Sequence, residues 1–142
     1  MLTGINHITI AVSDLERSVA FYQQRLGMLL KVTWAKGAYL EVAGQWICLS
    51  VDRAQPSRDY SHIAFDISEQ LFEQYSRSLM ASGVDLWKEN KSEGDSMYIL
   101  DPDGHKLEIH VGTLTSRLQK MRENPTQDMI FYDGQTEVYT GS

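Results

Sequence analysis

Residues 6–13, NHITIAVS, and residues 61–68, SHIAFDIS, are two versions of one segment set 55 positions apart. Each alternates large apolar residues with other types, as a strand that buries one face must. A chain that opens twice with the same strand has to build the rest of the unit twice as well, and the sequence does so. Behind Ser13 or Asp14 as N-cap, Leu15, Val19, Phe21, Tyr22 and Leu26 recur at three- and four-residue steps. Behind Ser68, Leu71, Phe72, Tyr75 and Leu79 do the same, and Gly27 and Gly83 close the two helices. Three strands are expected next in each half, over 28–34, 37–42 and 46–51, and over 84–88, 96–100 and 105–111. The last two are joined by Asp101-Pro102-Asp103-Gly104, a turn with its positive-φ glycine supplied.

The expected fold is therefore α+β, with paired βαβββ modules at 4–52 and 59–112 forming an open half-barrel, helices outside and a cavity within. An unduplicated α+β fold of similar pattern is the alternative. Residues 113–142 lie outside the repeat and read as a short helix over 115–121 and a partly mobile polar tail. All 142 residues fit one domain of ordinary size. Hydrophobic residues make up 42% and charged residues 23%, which suits a folded chain rather than a disordered one. Thirteen Lys+Arg against 19 Asp+Glu give a formal charge of −6, and with no basic run the chain is not expected to bind nucleic acid. The single cysteine, Cys48, and the lack of any CxxC motif fit a reducing, cytoplasmic setting. No signal peptide is evident and no apolar run approaches about 18 residues, so no membrane association is expected.

His7 and His62 hold equivalent positions on the two opening strands, and Glu108 lies on the last strand, in HKLEIHV. An offset of 59, which aligns Tyr98 with Tyr39, puts Leu49 opposite Glu108, so the four equivalent cavity positions carry His, Leu, His and Glu. Two imidazoles and a carboxylate suit a divalent first-row metal with positions left open, and Mn²⁺, Fe²⁺, Ni²⁺ and Zn²⁺ all remain eligible. His105, beside the turn, is expected to be solvated. His110 shares a face with Glu108 and reads either as a support for it or as a substitute ligand. Lys88 and the run Asn90, Lys91, Ser92, Glu93, Gly94, Asp95 and Ser96 form an oxygen-rich loop with two cations. It reads either as a solvated hairpin or as a site for an anion beside a hard cation, and composition does not choose between them.

The stretches NHITIAVSDLERSVAFY, WAKGAYLEVAGQWICLS and WKENKSEGDSMYILDPDGHKLEIHVGTLTSRL resemble the fosfomycin-resistance glutathione transferases of the FosA type, in the vicinal oxygen chelate superfamily. The likeness covers roughly residues 1–124, and its most specific part is the run around SEGDS. It implies a Mn²⁺-dependent, K⁺-stimulated homodimer that opens the epoxide of fosfomycin with glutathione thiolate, in a cavity shared between subunits. It also implies His7, His62 and Glu108 as metal ligands, with Thr9 beside the reacting carbon. Lys88, Ser92, Tyr98 and Arg117 would bind the phosphonate, and Asn90, Ser92, Glu93, Gly94 and Ser96 would hold K⁺. Tyr39 would orient the glutathione thiol and Trp46 would line the pocket. Lys91 stands where the family often has Arg, which keeps the charge but loses a bidentate fork.

Three rival readings share the scaffold. An epoxide hydrolase needs an added carboxylate base, and Ala43-Gly44-Gln45 supplies none; Glu41 is the nearest. A glyoxalase needs a fourth protein ligand at the position the offset gives to Leu49, and a dioxygenase does not call for an anion clamp. A non-catalytic drug-binding protein has no use for the His7, His62 and Glu108 set. Cys48, in the apolar run WICLS, is expected to be buried and structural, because the thiol arrives with the cosubstrate.

Overall fold

The computed structural model describes residues 1–90 and 95–132. The first half consists of β1 (His7–Val12), α1 (Leu15–Ala20), β2 (Leu29–Trp34), β3 (Gly37–Val42) and β4 (Gln45–Val51). The second consists of β5 (Ile63–Asp66), α2 (Glu69–Ala81), β6 (Leu86–Lys88), β7 (Ser96–Leu100) and β8 (Lys106–His110). A last helix, α3 (Leu114–Glu123), follows. The sheets run β1-β4-β3-β2 and β5-β8-β7-β6, the same order twice. In each, the opening strand lies parallel to the fourth and the other pairs are antiparallel. Two open, paired βαβββ modules are thus the architecture.

Local chemistry sets the helix ends. The Asp14 carboxylate accepts from the Arg17 amide at 3.1 Å and starts α1. Three- and four-residue spacing predicts one helix as far as Leu26. Instead the chain widens into a π-turn over Phe21–Arg25 before Gly27 turns it at φ 69°. That turn carries Tyr22, fully buried, whose hydroxyl donates to Asp101 of the second module at 2.8 Å. Burial, with the Asp101 carboxylate alongside, pushes the Tyr22 phenol well above its ordinary value. α3 starts one residue before the 115–121 expected, where Thr113 and Ser116 form a reciprocal capping box, and runs on to Glu123.

Strand alternation, with Leu79 of α2, builds one core across both modules, in which Ile10, Val12, Leu40, Ile47, Leu49, Ile99, Leu107 and Ile109 are all buried. The modules are also tied by polar contacts. Ser13 donates its backbone N–H and hydroxyl to Asp103, and the Arg17 guanidinium lies 3.6 Å from the same carboxylate. His105 is half-buried rather than solvated. Its Nε2 lies 2.7 Å from the Ala11 carbonyl, which can only accept, so Nε2 carries the proton.

The register corrects one alignment. Tyr39 pairs with Cys48, whereas Tyr98 pairs with Glu108. The first hairpin turns on two residues, Ala43 (φ 48°) and Gly44 (φ 80°). The second turns on three, Pro102 to Gly104, closed by the Asp101 amide donating to the His105 carbonyl at 3.0 Å. That extra residue shifts β8 by one, so Cys48, not Leu49, is the counterpart of Glu108. Leu49 points the other way and is fully buried, while Cys48 is only half-buried. Among the described residues no helix is long and apolar enough to cross a membrane.

Candidate metal and substrate site

Alternation that sends Ile10, Val12, Ile47 and Leu49 into the core turns His7, Thr9, Trp46 and Cys48 to the opposite face of the first sheet. Tyr39, paired with Cys48, shares that face. In the second module the same rule groups His62, Ser96, Tyr98, Glu108 and His110.

His62 lies just before β5, with Nδ1 2.8 Å from the Tyr60 carbonyl oxygen. A carbonyl only accepts, so in the neutral ring Nδ1 carries the proton and the Nε2 lone pair is left exposed. Nε2 lies 2.9 Å from Glu108 Oε1, with the two side chains 20% and 10% exposed. Two lone-pair-bearing atoms at that separation need a positive charge between them, either a proton or a metal ion. His7 shows the same arrangement. Its Nδ1 is 2.8 Å from Asn6 Oδ1, and its ring packs on Trp46 at 4.3 Å between centroids. Both repeat-equivalent imidazoles thus present Nε2, and the donor set fits a divalent first-row cation. Within one chain the three candidate ligands do not meet. Among the described residues no group of three His, Cys, Asp or Glu side chains can hold a metal, because His7 stands on the other module.

Tyr39 packs edge-on against Trp34 at 4.8 Å and Trp46 at 4.9 Å, so an aromatic wall runs from β2 to His7. In the second module the Lys88 ammonium donates to the Tyr60 hydroxyl and lies 4.6 Å and 4.8 Å from the ring centres of Tyr60 and Tyr98. That hydrogen bond holds the Lys88 pKa above its ordinary value, keeping the charge available to an anion. Arg117 is half-buried on α3, and its guanidinium forms no hydrogen bond or ion pair among the described residues. Ser96 turns its hydroxyl toward Glu108 and His110. Asn90 is exposed at the end of the described segment, while Lys91, Ser92, Glu93 and Gly94 lie outside the described residues.

Two further site residues, Tyr60 and Trp87, emerge only from the structure. For Tyr60, two positions before His62, strand alternation was an available signal. Trp87 had none, since a bulge between Leu86 and Lys88 breaks the alternation there. It packs against His62 at 5.4 Å and Tyr98 at 5.2 Å, and its Nε1 donates to the Leu107 carbonyl at 2.9 Å.

Comparison with known proteins gives a consistent result. The family model of the Glyoxalase/Bleomycin resistance protein/Dioxygenase superfamily matches residues 4–109. The glutathione transferase FosA of Serratia marcescens is 50% identical over 136 residues, spanning 92% of this chain and 96% of that one. The metallothiol transferase FosB of Lysinibacillus sphaericus is 43% identical over 122 residues, 81% of this chain and 86% of its own. Among solved structures, a variant of the fosfomycin resistance protein FosX of Listeria monocytogenes, complexed with Mn(II) and 1S,2S-dihydroxypropylphosphonic acid, superposes with a TM-score of 0.77. It is 35% identical and covers 84% of this chain and 98% of its own. The doubled βαβββ frame, the exposed Nε2 atoms and these likenesses lead to one conclusion: the chain belongs to the Glyoxalase/Bleomycin resistance protein/Dioxygenase superfamily, among its fosfomycin-resistance proteins.

Proposed function

We propose that the chain is a metal-dependent glutathione transferase that opens the epoxide of fosfomycin with the glutathione thiol and so inactivates the antibiotic. The observation that carries this reading is the 2.9 Å approach of His62 Nε2 to Glu108 Oε1, with Nδ1 already committed to a backbone carbonyl. It occurs in a chain half identical to a glutathione transferase FosA. His7 is the third ligand, and we assign the site to a homodimer in which His7 of one subunit completes the pair formed by His62 and Glu108 of the partner subunit. The exposed apolar side chains of β2, Leu29, Val32 and Trp34, support an interface on that side.

Mn²⁺ held by His7, His62 and Glu108 would supply Lewis acidity at the epoxide oxygen, where negative charge develops as the carbon–oxygen bond breaks. Lys88, Ser92, Tyr98 and Arg117 bind the phosphonate and fix its orientation, which serves proximity. Asn90, Ser92, Glu93, Gly94 and the main chain of Ser96 would hold K⁺. Tyr39 orients the glutathione thiol, Thr9 lies beside the reacting carbon, and Trp46 packs the substrate's apolar end. A carbon–sulfur bond forms as the carbon–oxygen bond breaks, and the thiol proton ends on the opened oxygen. Opening by water is disfavoured, because the β3–β4 turn carries no carboxylate and Glu41 pairs with Lys31 at 3.8 Å. Incubation with Mn²⁺, K⁺, glutathione and fosfomycin should yield a thioether adduct by mass spectrometry. A diol, or unchanged antibiotic, would contradict the reading.

A further inference from the structure

Glu108 does not face His62 unaided. Its second oxygen, Oε2, accepts from the Ser96 hydroxyl at 2.9 Å, and the same hydroxyl lies 2.6 Å from His110 Nδ1. His110 Nδ1 is also 3.2 Å from Oε2. One proton assignment satisfies all three contacts: the serine donates to the carboxylate, and the Nδ1–H of His110 donates to the serine oxygen and, more weakly, to Oε2. Ser96 and Glu108 are 5% and 8% exposed, so little water competes. Ser96 and His110 are cross-strand partners on β7 and β8, and Glu108 is two residues from His110 on the same face.

The duplicated half serves as an internal control. Register places Gly37, Cys48 and Ser50 where the second module has Ser96, Glu108 and His110. At Gly37 a Cβ would sit 2.7 Å from the Leu49 carbonyl oxygen, so no serine can stand there without a shift. The half without the carboxylate therefore also lacks its support. We propose that His110, acting through Ser96, is a positioning residue that anchors Glu108 Oε2 and so commits Oε1 to the metal beside His62. This deepens the function proposed above and rests on it. It also assigns His110 as a support and not as a ligand.

The test titrates Mn²⁺ into the full-length protein and follows the free-ion electron paramagnetic resonance signal, with thermal melting in parallel. His110→Ala and Ser96→Ala should each raise the Mn²⁺ dissociation constant about 10–100-fold, the usual effect of losing such a partner, without lowering the melting temperature. His110→Asn returns an N–H near the Nδ1 position and should recover most of the affinity. Spin-echo modulation of bound Mn²⁺ should count the same imidazoles in His110→Asn as in the wild type. Wild-type affinity in His110→Ala, equal loss in the Asn variant together with a lower melting temperature, or one imidazole fewer would each overturn the inference. Wild-type protein that binds no Mn²⁺ would instead overturn the proposed function, and this inference with it.

Discussion

At the scale of single residues, Tyr75 gives a test of the fold that is independent of the site. Its hydroxyl donates to the Arg25 carbonyl at 2.6 Å, so α2 of the second module is tied to the end of the first helical segment. Burial pushes its pKa from 10.0 up to about 12. The folded state therefore holds this proton more tightly than the unfolded chain does. The contribution is whole below about pH 10 and is lost as pH rises through about 12. Melting temperature should fall more steeply over that range in the wild type than in Tyr75→Phe, and parallel curves would contradict the burial. The site shows what a sequence can and cannot declare at this scale. His7, His62 and Glu108 stand out because a repeat pairs the two histidines and an acid lies on the last strand. The lock on the His62 tautomer is hidden, because its partner is the Tyr60 backbone carbonyl, a group every residue carries.

At the scale of elements, β4 carries the clearest difference between expectation and structure. Apolar alternation locates the strand but not its register, because Ile47, Cys48 and Leu49 are all acceptable in a core. The register is set by the turns, two residues in the first hairpin and three in the second, and a one-residue slip exchanges the faces of a strand. Leu49→Ala should therefore cost about 2–5 kcal/mol in denaturant unfolding, as buried leucines do. Cys48→Ser, on the half-buried face, should cost no more than about 1 kcal/mol. The reverse order would restore the 59-residue offset for this strand. The α1 segment has a similar lesson. Three- and four-residue spacing is compatible with both an α-helix and the π-turn at Phe21–Arg25, and it is the long-range bond of Tyr22 to Asp101 that the spacing could not contain.

At the scale of the whole molecule, one chain has two of the three proposed ligands in its second module and the third in its first. The repeat explains why both sheets present an open Nε2, since duplication copied the strand and its histidine together. A sequence says nothing of which copy of each sheet faces which, and the proposed two-fold homodimer would join them reciprocally. Subunit complementation tests this directly. His7→Ala and His62→Ala proteins should each be inactive alone toward fosfomycin and glutathione. After mixed refolding, half the dimers combine the two variants, and each such dimer has one site with all three ligands intact. Activity should then return to about a quarter of the wild-type value. If every site were built within a single chain, each would keep its lesion. A mixture that contains heterodimers but stays inactive would contradict the account.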